Sequence, residues 1–291
     1  MWFVTSFYKF HKFTDLEALV KELEGKLSEF EGLFLVAHEG MNATVATKNQ
    51  SLIIPLKKYL ENLVGTIEWK DSTSHKRPFK RLTIQIRDEI VTLKRPDLVP
   101  ETSQNNHLSP SEWHKVLKDE SESIVLIDTR NDYETKIGKF KGALDPNIHH
   151  FSQFKDFLES SNIDKDKKVL MYCTGGVRCE KAILEMQQRG YENVYQLEGG
   201  ILKYLEEYPD GFFEGECFVF DHRVSVDSNL KESSRYTLCP LCGNPGERKI
   251  NCSNCGKFAI VCENCLVDAC SKNCRYHLGG KNGRQLKENH A

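Results

Sequence analysis

Lys168-Val169-Leu170-Met171-Tyr172-Cys173-Thr174-Gly175-Gly176-Val177-Arg178 is a short apolar run that ends in a thiol, two glycines and a cation. A run without alternation predicts a strand buried on both faces, the kind found in parallel sheets. Residues 124–128 read the same way. Ser109-Pro110-Ser111-Glu112 can cap a helix with proline at its first position. Downstream, residues 180–189 read as a helix closed by Gly190, and residues 194–197 as a further strand. Strands alternating with helices predict a parallel α/β sheet, in which ligands bind beyond the carboxyl ends of the strands. The loop that begins at Cys173 occupies such a place.

The loop is chemically pointed. A thiol between a strand and a helix lies among backbone N–H groups at a positive helix end, which favours its thiolate. Two glycines permit tight curvature, and Arg178 can hold an anionic substrate or lower the thiol pKa further. Cys173 and Arg178 are therefore the catalytic candidates, with Thr174, Gly175, Gly176 and Val177 as the active loop. Cys179 is a candidate resolving thiol, able to release a persulfide or sulfenate on Cys173 as a disulfide. The bland alternatives are a buried structural cysteine at 173 and a small helix residue at 179.

The chain has 291 residues, 39% hydrophobic and 28% charged, with a formal net charge of −2. Its length predicts more than one domain, and its charge content excludes a membrane-embedded or low-complexity protein. No apolar run approaches the roughly 18 residues of a membrane span. Residues 1–13 lack the apolar centre of a signal peptide, so the expected location is the cytoplasm. The small net charge conceals asymmetry. Residues 57–95 carry ten basic against five acidic side chains, and residues 235–291 carry nine against four. Two basic ends around an acidic middle fit either solvated faces or a polyanion-binding surface.

Before the central domain, residues 2–10, 33–38, 43–47 and 81–93 read as strands and 15–30 and 51–63 as helices. The order βαββαβ predicts a ferredoxin-like α+β domain over residues 1–97. Residues 98–108, within a Pro-, Ser-, Gln- and Asn-containing stretch, read as a linker. His75-Lys76-Arg77-Pro78-Phe79-Lys80-Arg81 sets an aromatic ring among cations, as binders of single-stranded RNA often do. Lys76, Arg77, Lys80 and Arg81 are thus candidate RNA contacts, while Phe79 suits a core position equally well.

Eight of the 11 cysteines fall after residue 238, as Cys239-x-x-Cys242, Cys252-x-x-Cys255, Cys262-x-x-Cys265 and Cys270-x-x-x-Cys274. Such knuckles supply two tetrahedral sets, and the segment has too little apolar mass to fold alone, so two structural zinc ions are expected. Sequential and cross-braced pairings both remain open, and His277 or His290 can replace a cysteine. An iron–sulfur cluster or exchanging disulfides are the competing readings. The expected boundaries are 109–208 for the central domain, 209–235 for an extension, 236–280 for the zinc module and 281–291 for a basic tail. Neither a dinucleotide fingerprint nor a facial triad or haem site is evident.

The central domain resembles the rhodanese family. The likeness rests on the loop, on Ile127-Asp128-Thr129-Arg130 with Glu134, on Gly142-Ala143 and on Leu197-Glu198-Gly199-Gly200. It implies a persulfide-bearing Cys173 and a loop braced by Asp128 and Arg130. Only four residues separate Cys173 from Arg178, one fewer than in related phosphatases, which suits a sulfur-sized adduct. Residues 37–44, 89–93 and 216–224 are similar to signature stretches of a narrower family, the rhodanese-domain tRNA uridine hydroxylases. Met41-Asn42-Ala43 departs from the family's more usual Ile-Asn-Gly. That resemblance implies wobble-uridine hydroxylation to 5-hydroxyuridine with molecular oxygen as co-substrate. The tRNA anticodon region and a sulfur donor or reductant are the implied partners, with no membrane. It adds His38 and Asn42 to the candidate RNA contacts. The alternatives are a plain sulfurtransferase and a non-catalytic, zinc-stabilised adaptor.

Overall fold

The computed structural model describes residues 1–100, 106–119, 123–251, 256 and 258–266. The first domain runs β1 (Trp2–Phe10), α1 (Leu16–Lys26), β2 (Glu31–Ala37), β3 (Gly40–Thr47), α2 (Ile53–Val64), β4 (Lys70–Ser74) and β5 (Leu82–Ile86). Its sheet has the order β4-β1-β3-β2-β5, antiparallel except for β2 beside β5. The first four strands give the ferredoxin-like arrangement expected, but its fourth strand is β4 and not the segment after residue 81, which forms β5, an addition at the β2 edge. Leu19 and Leu23 of α1 and Leu56 and Leu60 of α2 meet Phe7 and Phe34 of the sheet in one core.

Two details differ from the sequence reading. The strand expected over residues 81–93 ends at Ile86; beyond it the Ile90 amide goes to the Glu39 carboxylate and the Leu93 amide to that of Glu89 instead of a ladder. β4 carried no signal, since Lys70-Asp71-Ser72-Thr73-Ser74 has no apolar residue. Ala43 lies inside β3, opposite Phe7 and Phe34, so the substitution for glycine meets no left-handed turn there.

The central domain contains β6 (His107–Leu108), α3 (Pro110–Asp119), β7 (Ile124–Asp128), α4 (Asp132–Thr135), β8 (Gly138–Phe140), α5 (Phe154–Ser160), β9 (Lys168–Tyr172), α6 (Val177–Gln188), β10 (Val194–Leu197) and α7 (Gly200–Glu207). Its sheet, β6-β10-β9-β7, is parallel throughout. Helices cover both faces: Val169 and Met171 pack with Phe154 and Ile183, and Leu170 and Tyr172 with Trp113 and Tyr204. That double coverage is why β9 shows no alternation. His107-Leu108, at the end of the stretch read as linker, is an edge strand. α6 begins three residues before the expected helix, directly after the loop glycines.

Residues after α7 strap the two domains together. β11 (Phe213–Gly215) pairs with β8, and β12 (Cys217–Phe218) forms a hairpin with β13 (Ser225–Val226). In the connecting turn Arg223 forks onto Asp221 and donates through Nη1 to Ser72 Oγ of β4 at 2.8 Å. Two further hairpins follow, β14 (Thr237–Leu238) with β15 (Pro245–Gly246) and β16 (Arg248–Asn251) with β17 (Phe258–Val261). Among the described residues no helix is long and apolar enough to cross a membrane.

The domain contact is itself buried. Lys181 of α6 is 0% exposed and bonds Glu39 at 2.7 Å and Glu89 at 2.6 Å, both from the first domain. Phe10, Ala37 and Ile90 continue the apolar core of the central domain across this junction. The helix that carries the cysteine loop is thereby fixed to the first domain.

Candidate active site

Cys173 follows β9 directly and forms part of the wall of a cavity of about 790 Å³. The cavity lies between the first domain's sheet, the cysteine loop and the strap; Tyr8, Lys70, Phe220 and His222 face it from the two outer sides. Cys173 is only 2% exposed. Burial opposes its ionisation. A hydrogen bond from Cys179, the charge of Arg178 and the backbone amides of Arg178 and Gly176 outweigh that penalty and bring the thiol down to about 6. The Gly176 amide donates to Sγ at 3.1 Å.

The loop is held from behind by α7. The amides of Ile201 and Leu202 donate to the carbonyls of Cys173 and Thr174 at 3.0 and 3.2 Å. Gly200, with φ +69°, comes so close that a Cβ there would stand 2.6 Å from both carbonyl oxygens. With the loop carbonyls turned toward α7, its amides are free to face the sulfur. Gly200 thus acts on the loop, some 26 residues upstream, by close backbone approach.

Arg178 does not reach outward. Its guanidinium is buried against Glu134 of α4, with Nη2 2.8 Å from Oε2, and lies over the Phe220 ring. Burial opposes its charge, but Glu134 and the Cys173 thiolate more than compensate, so it remains a cation beside the sulfur. Asp128 and Arg130 form a fully buried fork, and Arg130 also donates to the Gly138 carbonyl at 2.6 Å and lies over the ring of Tyr172. The pair ties β7 to β8 and to the residue before the thiol. Cys179 is 0% exposed, and burial, then its bond to Cys173, push its pKa well up, so it stays a protonated donor. Its sulfur is 3.5 Å from Thr129 Oγ1. Cys217 lies in the core, where burial pushes its thiol up to about 12.

Three family descriptions match the chain in sequence: a UPF0176 acylphosphatase-like domain over residues 2–90, a rhodanese-like domain over 110–207 and a rhodanase C-terminal region over 214–275. A tRNA uridine(34) hydroxylase of Bdellovibrio bacteriovorus is 48% identical over 286 residues, covering 95% of this chain and 81% of the relative. The chain belongs to the tRNA uridine(34) hydroxylase family. The hydroxylase of that name from Picosynechococcus is 40% identical over 90% of this chain and 89% of its own length. One from Legionella pneumophila is 41% identical over 78% and 91%.

In this family member the candidate RNA contacts divide. Asn42, Lys80 and Arg81 line the cavity, and Asn42 also donates to the Ile90 carbonyl at 3.1 Å. Lys76 is paired with Glu232 at 2.8 Å, and Arg77 with Glu31. His38 is exposed outside the cavity, its ring nitrogen 2.9 Å from the Phe13 carbonyl. Phe79 is 6% exposed and packs on Val4 and Ala46, the core role considered for it. Sequence reasoning passed over Tyr8, whose hydroxyl donates to Glu180 of α6 at 2.8 Å, and Lys70 beside it. Neither lies in a motif, so only the domain packing reveals them.

The sulfurs of Cys239, Cys242, Cys262 and Cys265 all lie within 4.8 Å of one another. Four thiolates at the corners of a tetrahedron with metal–sulfur bonds of about 2.3 Å fit that spacing, so the group can hold a metal ion. The first and third knuckles meet because β14–β15 and β16–β17 pack together. This answers the pairing question for one site in favour of a cross-brace. Cys252, Cys255, Cys270 and Cys274 lie outside the described residues. The first knuckle, from Leu238 to Leu241, also borders the cavity.

Proposed function

We propose that the chain hydroxylates the wobble uridine of tRNA to 5-hydroxyuridine with molecular oxygen, and that Cys173 is the reacting group. The observation that carries this reading is a thiolate at the wall of a nucleotide-sized cavity, in a chain that matches tRNA uridine(34) hydroxylases along most of its length. Small-molecule sites span roughly 300–1,000 Å³, so the cavity has room for an extruded nucleotide. An anticodon base is already partly unstacked, which keeps extrusion inexpensive.

The residues divide the work. The amides of Gly176 and Arg178 and the charge of Arg178 keep the sulfur ionised, Glu134 holds Arg178, and Asp128 with Arg130 fixes the strand ends beneath the loop. Lys80 and Arg81 meet tRNA phosphates at the cavity mouth. Inserting one oxygen atom of dioxygen while the other leaves as water consumes two electrons, so a two-electron reductant is a partner. Cys239, Cys242, Cys262 and Cys265 hold a structural zinc ion, and the remaining knuckles hold a second. A tRNA substrate places the protein in the cytoplasm.

Incubation of the purified protein with reductant, uridine-34 tRNA and oxygen-18 gas tests the reading. Mass spectrometry is expected to find 5-hydroxyuridine carrying the heavy isotope, and none with Cys173→Ser. Absence of product from the wild type, or oxygen derived only from water, would overturn it.

A further inference from the structure

Lys70 opens β4 in the first domain, and its side chain lines the cavity and packs against the cysteine loop. Its Cδ and Cε lie 3.7 Å from where a Cβ on Gly175 would stand, and its ammonium lies 5.4 Å from the Tyr8 ring centroid. The side chain is 9% exposed, yet Nζ makes no hydrogen bond among the described residues. Glu68 Oε1 is 3.9 Å away and also faces Lys203 at 3.6 Å. Burial lowers its pKa, and the negative charges of Glu68 and Cys173 oppose that shift.

The other buried lysine provides the contrast. Lys181 has two carboxylates within 2.7 Å, which is how a structural ammonium is normally accommodated. Lys70 lacks that support. Burial without a hydrogen-bonded partner is costly, and a methionine would fill the same space without the cost. A preorganised cation at a water-excluded site is worth its burial where negative charge develops during a reaction.

We propose that Lys70 is a catalytic residue, whose ammonium takes the negative charge that forms on O4 of the uracil when the Cys173 thiolate adds to C6. The proposal rests on the hydroxylase reading above. In this step a sulfur electron pair forms the S–C6 bond, the C5=C6 pair becomes the C4=C5 bond, and the C4=O4 pair moves onto O4. No electron is gained or lost overall, and no group leaves. The resulting enolate is electron-rich at C5, the carbon that is hydroxylated. Without oxygen it picks up a proton from water at C5. Loss of the original C5 hydrogen to water and expulsion of the thiolate then return uridine with that hydrogen exchanged.

Exchange therefore reports the step independently of oxygen. tRNA bearing tritium at C5 of uridine 34 is incubated anaerobically with wild type, Lys70→Met and Lys70→Arg, at a pH well above the thiol midpoint. Wild type is expected to release tritium into water. Lys70→Met should lose about 10²- to 10³-fold in rate at saturating tRNA, as when an oxyanion donor is removed, with tRNA affinity unchanged. Lys70→Arg should recover part of the rate, and Lys70→Met should melt no lower than wild type because a buried charge without a hydrogen-bonded partner is gone. Exchange at the wild-type rate in Lys70→Met, a loss confined to tRNA affinity, or a lower melting temperature would overturn the assignment. A wild type that makes 5-hydroxyuridine without exchange would remove the addition step and the proposal with it. Failure to make 5-hydroxyuridine at all would refute the functional reading instead.

Discussion

At Cys173, burial and its neighbours pull in opposite directions, and the neighbours win. The thiol is largely ionised above about pH 6, while ordinary thiols require about two units more. Iodoacetamide alkylation of Cys173 should therefore titrate with a midpoint near 6 and fall off as the solution is acidified through it. Cys179→Ala removes the first of the favourable contacts and should move the midpoint upward. A midpoint unchanged in that variant would show that Arg178 and the amides suffice. The cysteine, the arginine and the spacing between them were legible in the sequence, because one segment carries them all. Lys70 and Tyr8 were not, since each becomes a neighbour of the loop only through docking of another domain.

Among the elements, α7 governs the loop more directly than its distance along the chain suggests. Gly200 has no room for a side chain and a left-handed backbone, so Gly200→Ala must displace the Cys173 and Thr174 carbonyls. The backbone strain alone costs about 1–3 kcal/mol. Urea unfolding should register that loss, and the alkylation midpoint should rise as the loop amides turn away from the sulfur. β7 and β9 are legible as apolar runs, and α3 from its Ser109-Pro110 start. β4 was invisible because its five residues are polar and its partner β1 supplies the pairing. The end of β5 is not legible because side chains, Glu39 for the Ile90 amide and Glu89 for the Leu93 amide, take the place of a ladder. The cysteine knuckles are plain as a pattern, whereas the meeting of the first with the third depends on how two hairpins pack. Removal of the metal by a strong chelator should loosen the first knuckle. Because Leu238 to Leu241 borders the cavity, tRNA affinity should fall in parallel with metal content measured by native mass spectrometry.

At the scale of the whole molecule, three segments distant in sequence meet around one cavity, and the contacts that bring them there are charged and buried. Lys181 joins α6 to Glu39 and Glu89, and Arg223 joins the strap to β4. Lys181→Ala leaves two buried carboxylates with backbone amides but no counter-ion, a loss of about 3–5 kcal/mol for broken buried pairs. Denaturant unfolding of the full chain should show that loss, and a change within about 0.5 kcal/mol would mean that the junction admits water. The charge asymmetry seen in the sequence also changes meaning at this scale. Part of the first basic segment is neutralised internally, as Arg77 is by Glu31 and Lys76 by Glu232, while Lys80 and Arg81 are turned to the cavity.

The central claim is that this assembly exists to bring a tRNA wobble uridine to Cys173. Nucleoside mass spectrometry on tRNA from cells lacking the gene, complemented with wild type or with Cys173→Ser, tests it most directly. The account predicts that 5-hydroxyuridine and its derivatives disappear in the deletion strain, return with wild type and stay absent with Cys173→Ser. Equal levels in all three strains would contradict it.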